Sequence, residues 1–355
     1  MPKVNRREFL KLATVTAGSL YLPLVSSCGA DSEQGATAGV TAGVVRGEDI
    51  IPTVRRAIEL ASGLDDIKGG DRVVIKPNLT GPVPNAYTKA EVLQGVIQAV
   101  AQRTEAKHIT LAECSALGLP TEPFAEQAGY LAVCQEEGAN FLGWETGEYV
   151  GFHDPDWKYI TEEKRIPRSL DPNAPEYDHF INVPILKNHE DVPESNAVFT
   201  ACIKSFVGIL PFDGEGSRSN KNIHDEYLGF QAAELGRIVP RITMNVIDAT
   251  TIVLKNGPAG ALFGSGTQDG PMVTYNAGLI LASRDRVVCD SLGLAVLRRY
   301  ARENGVYRPY LDRSVRQDGQ ISRAAELNLG VADPGLVRIY HENVDDFDEI
   351  VAEWS

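Results

Sequence analysis

The sequence predicts an α/β fold: a mainly parallel central sheet with helices on both faces, in a single large domain with a loop-rich insertion. Three observations predict it. Short apolar runs that stop at proline or polar residues alternate with longer segments whose apolar residues recur at helical spacing. No internal repeat and no linker divides the chain into two cores. Only one section, about 144–178, breaks the alternation, and it is rich in Pro, Asp, Glu and aromatic residues.

In order along the chain, Ile50, Ile51, Val54, Ala57, Ile58 and Ala61 predict a first amphipathic helix. Residues Asp71–Pro77 read as a buried strand stopped by proline, which removes a ladder donor and disfavours continuation. Ala90–Val100 is a second helix, His108–Glu113 a second strand, Phe124–Glu137 a helix and Ala139–Leu142 a short strand. The insertion carries a hairpin around Trp157–Ile166. Strands are then expected at Asp178–Pro184, Ile242–Ile247 and Ala277–Ala282, a long helix at Arg286–Glu303 and a last strand at Leu336–Tyr340. Asp345–Glu349 reads as the solvated start of a short acidic helix, where carboxylates suit the helix dipole.

The N-terminus carries an address. Arg6 and Arg7 are followed by Glu8, Phe9, Leu10 and Lys11, then by a short, moderately apolar stretch to Val25 and by Ser26, Ser27 and Cys28. This is the pattern of a twin-arginine export signal (1–27) ending in a lipobox, with Cys28 lipidated. Thr14, Thr16, Gly18 and Ser19 make the stretch too short and too polar to span a bilayer. Residues 28–45, mostly Gly, Ala, Ser, Thr and Glu, read as a flexible tether, and 46–355 as the domain. The expectation is a protein exported by the twin-arginine machinery and held by lipid on the extracytoplasmic, periplasmic side of a membrane.

Charge excludes one class of partner. The chain has 34 basic and 48 acidic residues and a net charge of −14; 1–27 holds four basic residues and one acidic, so the remainder carries −17. Such a field disfavours nucleic acid. Among the cysteines, Cys114, Cys134, Cys202 and Cys289 are far apart with no Cys-x-x-Cys, which argues against an iron–sulfur cluster. Cys202 and Cys289 lie in apolar runs and read as buried free thiols, with a disulfide as the alternative.

Ligands in α/β sheets gather at the carboxyl ends of the strands, so the residues there are the candidates. They are Lys76, Asn78 and Thr80; Glu113 and Ser115; Lys187 and His189; and Asp248. Thr200 and Lys204 fall one turn apart on an expected short helix, followed by a turn at Val207–Phe212. A polar loop, Gly214–Asn222, leads to His224 and Asp225 and resembles a mobile cover.

Several of these runs occur together in order: Ile75–Leu79, Val183–His189, Lys204–Pro211, His224, Val246–Ala249, Asn256–Pro258 and Ser283–Asp290. The set resembles the family known as domain of unknown function 362, over nearly all of the chain after the tether. Many members have ferredoxin-like cysteine motifs attached and are described as iron–sulfur proteins. This chain has none, and it has Ser205 where the family commonly has asparagine. The resemblance implies a fold and no reaction.

From residue types, Lys76, Lys187 and Lys204 supply ammonium groups to a carboxylate or phosphate, with Asn78 and Thr200 adding neutral hydrogen bonds. The competing arrangement pairs each lysine with Glu113, Asp248 or Asp290 in a structural network. A divalent metal is a second occupant, with His189, His224 and Asp248, joined by Asp225 or Asp290, as ligands for zinc, iron or manganese. The expected function is an enzyme acting on a small anionic substrate, with His189 or His224 as acid or base and Glu113 and Asp248 as the carboxylates of the cleft. The alternative is a non-catalytic ligand-binding or electron-transfer accessory. Gly257–Gly266 matches no phosphate-loop pattern and reads as a turn.

Overall fold

A computed structural model describes residues 39–354 apart from 82, 116–119, 189–198, 212–226, 258–270, 307–310, 312–313 and 315–316. The described elements run β1 (Val40–Arg46), α1 (Ile50–Leu60), β2 (Val73–Pro77), α2 (Ala90–Ala101), β3 (Ile109–Glu113), α3 (Thr121–Gln127), α4 (Tyr130–Glu137) and β4 (Asn140–Gly143). Next come β5 (Tyr149–Phe152), β6 (Lys164–Pro167), β7 (His179–Val183), β8 (Ile185–Asn188), β9 (Phe199–Thr200) and α5 (Leu228–Leu235). The chain closes with β10 (Met244–Lys255), β11 (Val273–Tyr275), β12 (Leu279–Ser283), α6 (Arg286–Glu303), α7 (Gly319–Glu326), β13 (Val337–Glu342) and α8 (Phe347–Ala352).

The main sheet has the order β13-β1-β12-β10-β7-β2-β3-β4. It is mainly parallel: β1 with β13, β10 with β7, β7 with β2, β2 with β3 and β3 with β4. Only β12, between β1 and β10, runs antiparallel within that path. Side chains along a strand point alternately to opposite faces, and the two cores follow this period. Val45, Ile181, Val246 and Ile280 join one core with α1, α2 and α4. Val44, Phe180, Ile247 and Leu281 join the other with α5, α6 and the insertion. Helices therefore cover both faces. Among the described residues no helix is long and apolar enough to cross a membrane.

Four expectations on elements are corrected. The tether expected over 28–45 gives way to sheet at Val40, and β1 is an inner strand between β12 and β13. Its glycine has a packing cause: a Cβ on Gly43 would lie 2.3 Å from the Ala57 carbonyl oxygen, so α1 can pack this closely only on glycine. The helix expected over Phe124–Glu137 is two helices, broken at Gly129 in the left-handed region (φ +82°). The hairpin expected at Trp157–Ile166 pairs β5 with β6, and Trp157 lies in its connection. That connection belongs to the core rather than the surface. Trp157 and Ile160 are buried, and the buried Glu234 carboxylate accepts the backbone N–H groups of Lys158, Tyr159 and Ile160 at 2.7–3.0 Å. Finally, the short helix expected at Thr200–Lys204 is strand β9 followed by a 3-10 helix over Lys204–Ile209, which also takes up the first half of the expected turn.

Candidate functional site

The carboxyl ends of β2, β3 and β7 hold a buried polar layer. Lys76, fully buried near the end of β2, donates to Glu113 Oε2 at 2.8 Å, to the Pro77 carbonyl at 3.1 Å and to Ser205 Oγ at 3.3 Å. Glu113, at the end of β3 and 1 % exposed, accepts the Cys114 N–H at 2.9 Å through its other oxygen. Ser205 donates to Asn182 Oδ1 at 2.9 Å, and Asn182 Nδ2 donates to the Cys202 carbonyl at 2.9 Å. The 3-10 helix thus rides directly on the ion pair. A Cβ on Gly208 would lie 2.5 Å from Glu113 Oε1 and 2.9 Å from Lys76 Nζ. Because both chain ends are locked in a buried pair, Gly208→Ala should destabilise the protein by about 1–3 kcal/mol, read by denaturant unfolding. An unchanged midpoint would show that this lid does not touch the pair.

Lys187 forms a second centre on β8. Its ammonium, 1 % exposed, donates to Asn78 Oδ1 at 2.8 Å, Thr80 Oγ1 at 2.5 Å and the Ala86 carbonyl at 2.8 Å. Three donors matched by three oxygens hold it in one orientation. Thr200 lies opposite it across the β8–β9 pair. Lys204, the most accessible of the three lysines, is 9 % exposed at the start of the 3-10 helix. The segment between β2 and α2 is tied down by Thr88, which donates to the Val183 carbonyl at 2.7 Å and accepts the Asn78 N–H at 3.0 Å. Tyr130 donates its hydroxyl to the Thr88 carbonyl at 2.7 Å. Burial pushes this phenol well above its ordinary pKa, and the Glu113 and Asp248 charges push it further.

Asp248 departs from its expected role. It is fully buried, and it accepts the N–H of Lys89 at 2.8 Å, where α2 begins, together with the Thr250 N–H at 3.1 Å and hydroxyl at 2.6 Å. Burial raises its pKa, while those bonds pull it back. It anchors the start of α2. Asp290 is likewise a positioning group. From α6 it accepts the N–H groups of Cys202 at 2.6 Å and Ile203 at 3.2 Å, just before the 3-10 helix, and Gln320 Nε2 at 2.7 Å. Burial drives its pKa up to about 7 against those hydrogen bonds, with Asp318 adding to the rise.

Of the sequence candidates, then, Lys76, Glu113 and the Lys204 helix form one network, and Asn78 joins Lys187 in another. Lys76 follows the structural-network alternative, being paired with Glu113. Among the described residues no group of three or more His, Cys, Asp or Glu side chains could hold a metal ion. The expected metal and catalytic candidates His189 and His224, with Asp225, lie outside the described residues, as do Cys28, the signal and the 214–222 loop. Asn182, Thr88, Lys89, Tyr130 and Gly208 were not among the candidates. An asparagine inside the apolar run Phe180–Val183 was the one sequence signal that could have pointed to Asn182.

A family model described as Domain of unknown function (DUF362) matches residues 73–295. The chain belongs to this family. The match opens at β2 and closes within α6, so it takes in every described residue of the two lysine centres and Asp290. The strands β1 and β13 and the helices α1, α7 and α8 lie outside it. No curated protein and no solved structure matches the chain.

Proposed function

We propose that this DUF362 protein is exported, lipid-anchored through Cys28 and holds a small carboxylate or phosphate ligand at Lys204, beside the Lys76 and Lys187 centres. One observation carries the binding reading. Lys76, Lys187 and Lys204, each at least nine-tenths buried, gather on residues 76–80 and 200–205 at the carboxyl ends of β2 and β7–β8. Burying ammonium groups is costly, and a sheet edge of this kind is where α/β proteins take ligands. The export reading rests on Arg6, Arg7 and the Ser26–Cys28 lipobox. Binding is supported further than catalysis, because Glu113 and Asp248 both spend their oxygens on fixed protein donors.

Thermal unfolding in phosphate, citrate and a set of small carboxylates, each against sodium chloride at equal ionic strength, tests it. A ligand at about 100 times its Kd should stabilise the protein by about 2.7 kcal/mol. Lys204→Gln, which keeps the aliphatic stem, should lose that stabilisation while melting near the parent temperature without ligand. An equal response to every anion and to chloride, or an undiminished response in Lys204→Gln, overturns the reading. Turnover of a stabilising ligand would restore the enzyme assignment.

A further inference from the structure

Helix α6 meets the 201–206 segment along a single face. Arg286 stacks its guanidinium 5.1 Å from the centre of the Phe206 ring. One turn on, Asp290 holds the N–H groups of Cys202 and Ile203. One turn further, a Cβ on Gly293 would come within 3.8 Å of the Ala201 Cβ. Positions 286, 290 and 293 share a helix face, and position 289 lies on it too. Cys289 is therefore aimed at the same segment, and beyond the effect of burial the two thiols perturb each other, Cys289 raising the pKa of Cys202 and Cys202 lowering that of Cys289. Both cysteines are fully buried, and both are free thiols.

We propose that Cys202 and Cys289 are an oxidisable pair, forming an intramolecular disulfide that staples the segment bearing Lys204 and Ser205 to α6. The partner in the reaction is a disulfide of the glutathione class. Cys289 gives its proton to solvent, and its thiolate attacks one sulfur of that disulfide, forming a mixed disulfide and releasing one thiolate. The released thiolate takes the Cys202 proton. The Cys202 thiolate then attacks Cys289 sulfur and expels the second thiolate, which takes a proton back from solvent, so two protein thiols become one disulfide as one external disulfide becomes two thiols. Cys289 is the first attacker because the Cys202 S–H stabilises its ionised form.

Burial raises the pKa of both thiols, so oxidation proceeds through local opening and is slow in the native state. Cys134, on α4, is buried in the opposite core and has its pKa pushed up to about 11 by burial; it serves as a control. The pair does not depend on the anion reading. It meets an oxidant in the compartment that the export reading assigns.

The test uses the full-length chain, purified reduced and incubated with glutathione disulfide a few degrees below its melting temperature. Peptide mapping without reduction should recover a linked peptide containing Cys202 and Cys289, with two thiols lost per chain. Closing so long a loop should raise the melting temperature by about 5 °C, reversed by dithiothreitol. Cys134→Ser should behave like the parent, while Cys289→Ser should give no link. Cys202 and Cys289 both still reduced after prolonged incubation, glutathione adducts with no internal link, or a link that excludes either cysteine each overturn the proposal. The mapping is done on the unsubstituted chain, so a variant that fails to fold does not obscure the result.

Discussion

Lys76→Met should lower the stability of the protein by about 3–5 kcal/mol, because it leaves the Glu113 carboxylate buried without its ammonium partner. The partner lies at 2.8 Å, and both side chains are at most 1 % exposed, so neither solvent nor salt can replace it. Removing Glu113 alone should be comparably severe. The double variant Lys76→Met/Glu113→Leu should recover much of the loss, since the desolvation of both charges disappears along with their attraction. Urea unfolding of the four proteins measures the coupling. A double variant destabilised by the sum of the two single losses would mean that Lys76 and Glu113 act separately.

Asp290→Asn should flatten the dependence of stability on pH. The buried Asp290 carboxyl has its pKa raised from 3.8 to about 7, so between these values the folded protein binds more protons than the unfolded chain. Stability therefore falls as pH rises from about 4 to 7, by on the order of 4 kcal/mol for this group, with no further loss from it at higher pH. Asp248 and Asp285 are shifted in the same direction by burial and contribute slopes of the same sign. The asparagine variant should lose a roughly constant 1–2 kcal/mol from its poorer set of acceptors, and gain relative to the parent as pH increases. Unfolding free energies at several pH values from 4 to 8 give the comparison. A parent-to-variant difference that stays constant over that range would show that Asp290 is already ionised at pH 4.

These two groups also show where sequence reading succeeds and where it stops. Lys76 and Glu113 were legible as candidates because each follows an apolar run at a strand end, which is a local pattern. That they neutralise one another was not legible, since nothing near position 76 specifies what lies at position 113. Asp290 was read as a metal-ligand candidate from its residue type. Its actual partners, Cys202, Ile203 and Gln320, come from a strand-end turn and from α7. β1 was read as tether because Thr41, Ala42 and Gly43 look like linker residues, and only the approach of α1 explains Gly43. Thr200 was placed on a helix by its spacing from Lys204, although pairing with β8 makes it strand.

The sequence by itself determined the alternation of strands and helices, the family, the long helix Arg286–Glu303 and the strand ends at which polar residues collect. These follow from periodicity and from proline, which act over a few residues. The tertiary structure alone decided that Lys76 is paired, that Asp248 anchors α2, that Asp290 positions the Lys204 helix and that α6 packs on the Cys202 segment. Charge pairing and close packing depend on distances through space between chain-remote atoms, and burial sets their strength. No local pattern carries either quantity.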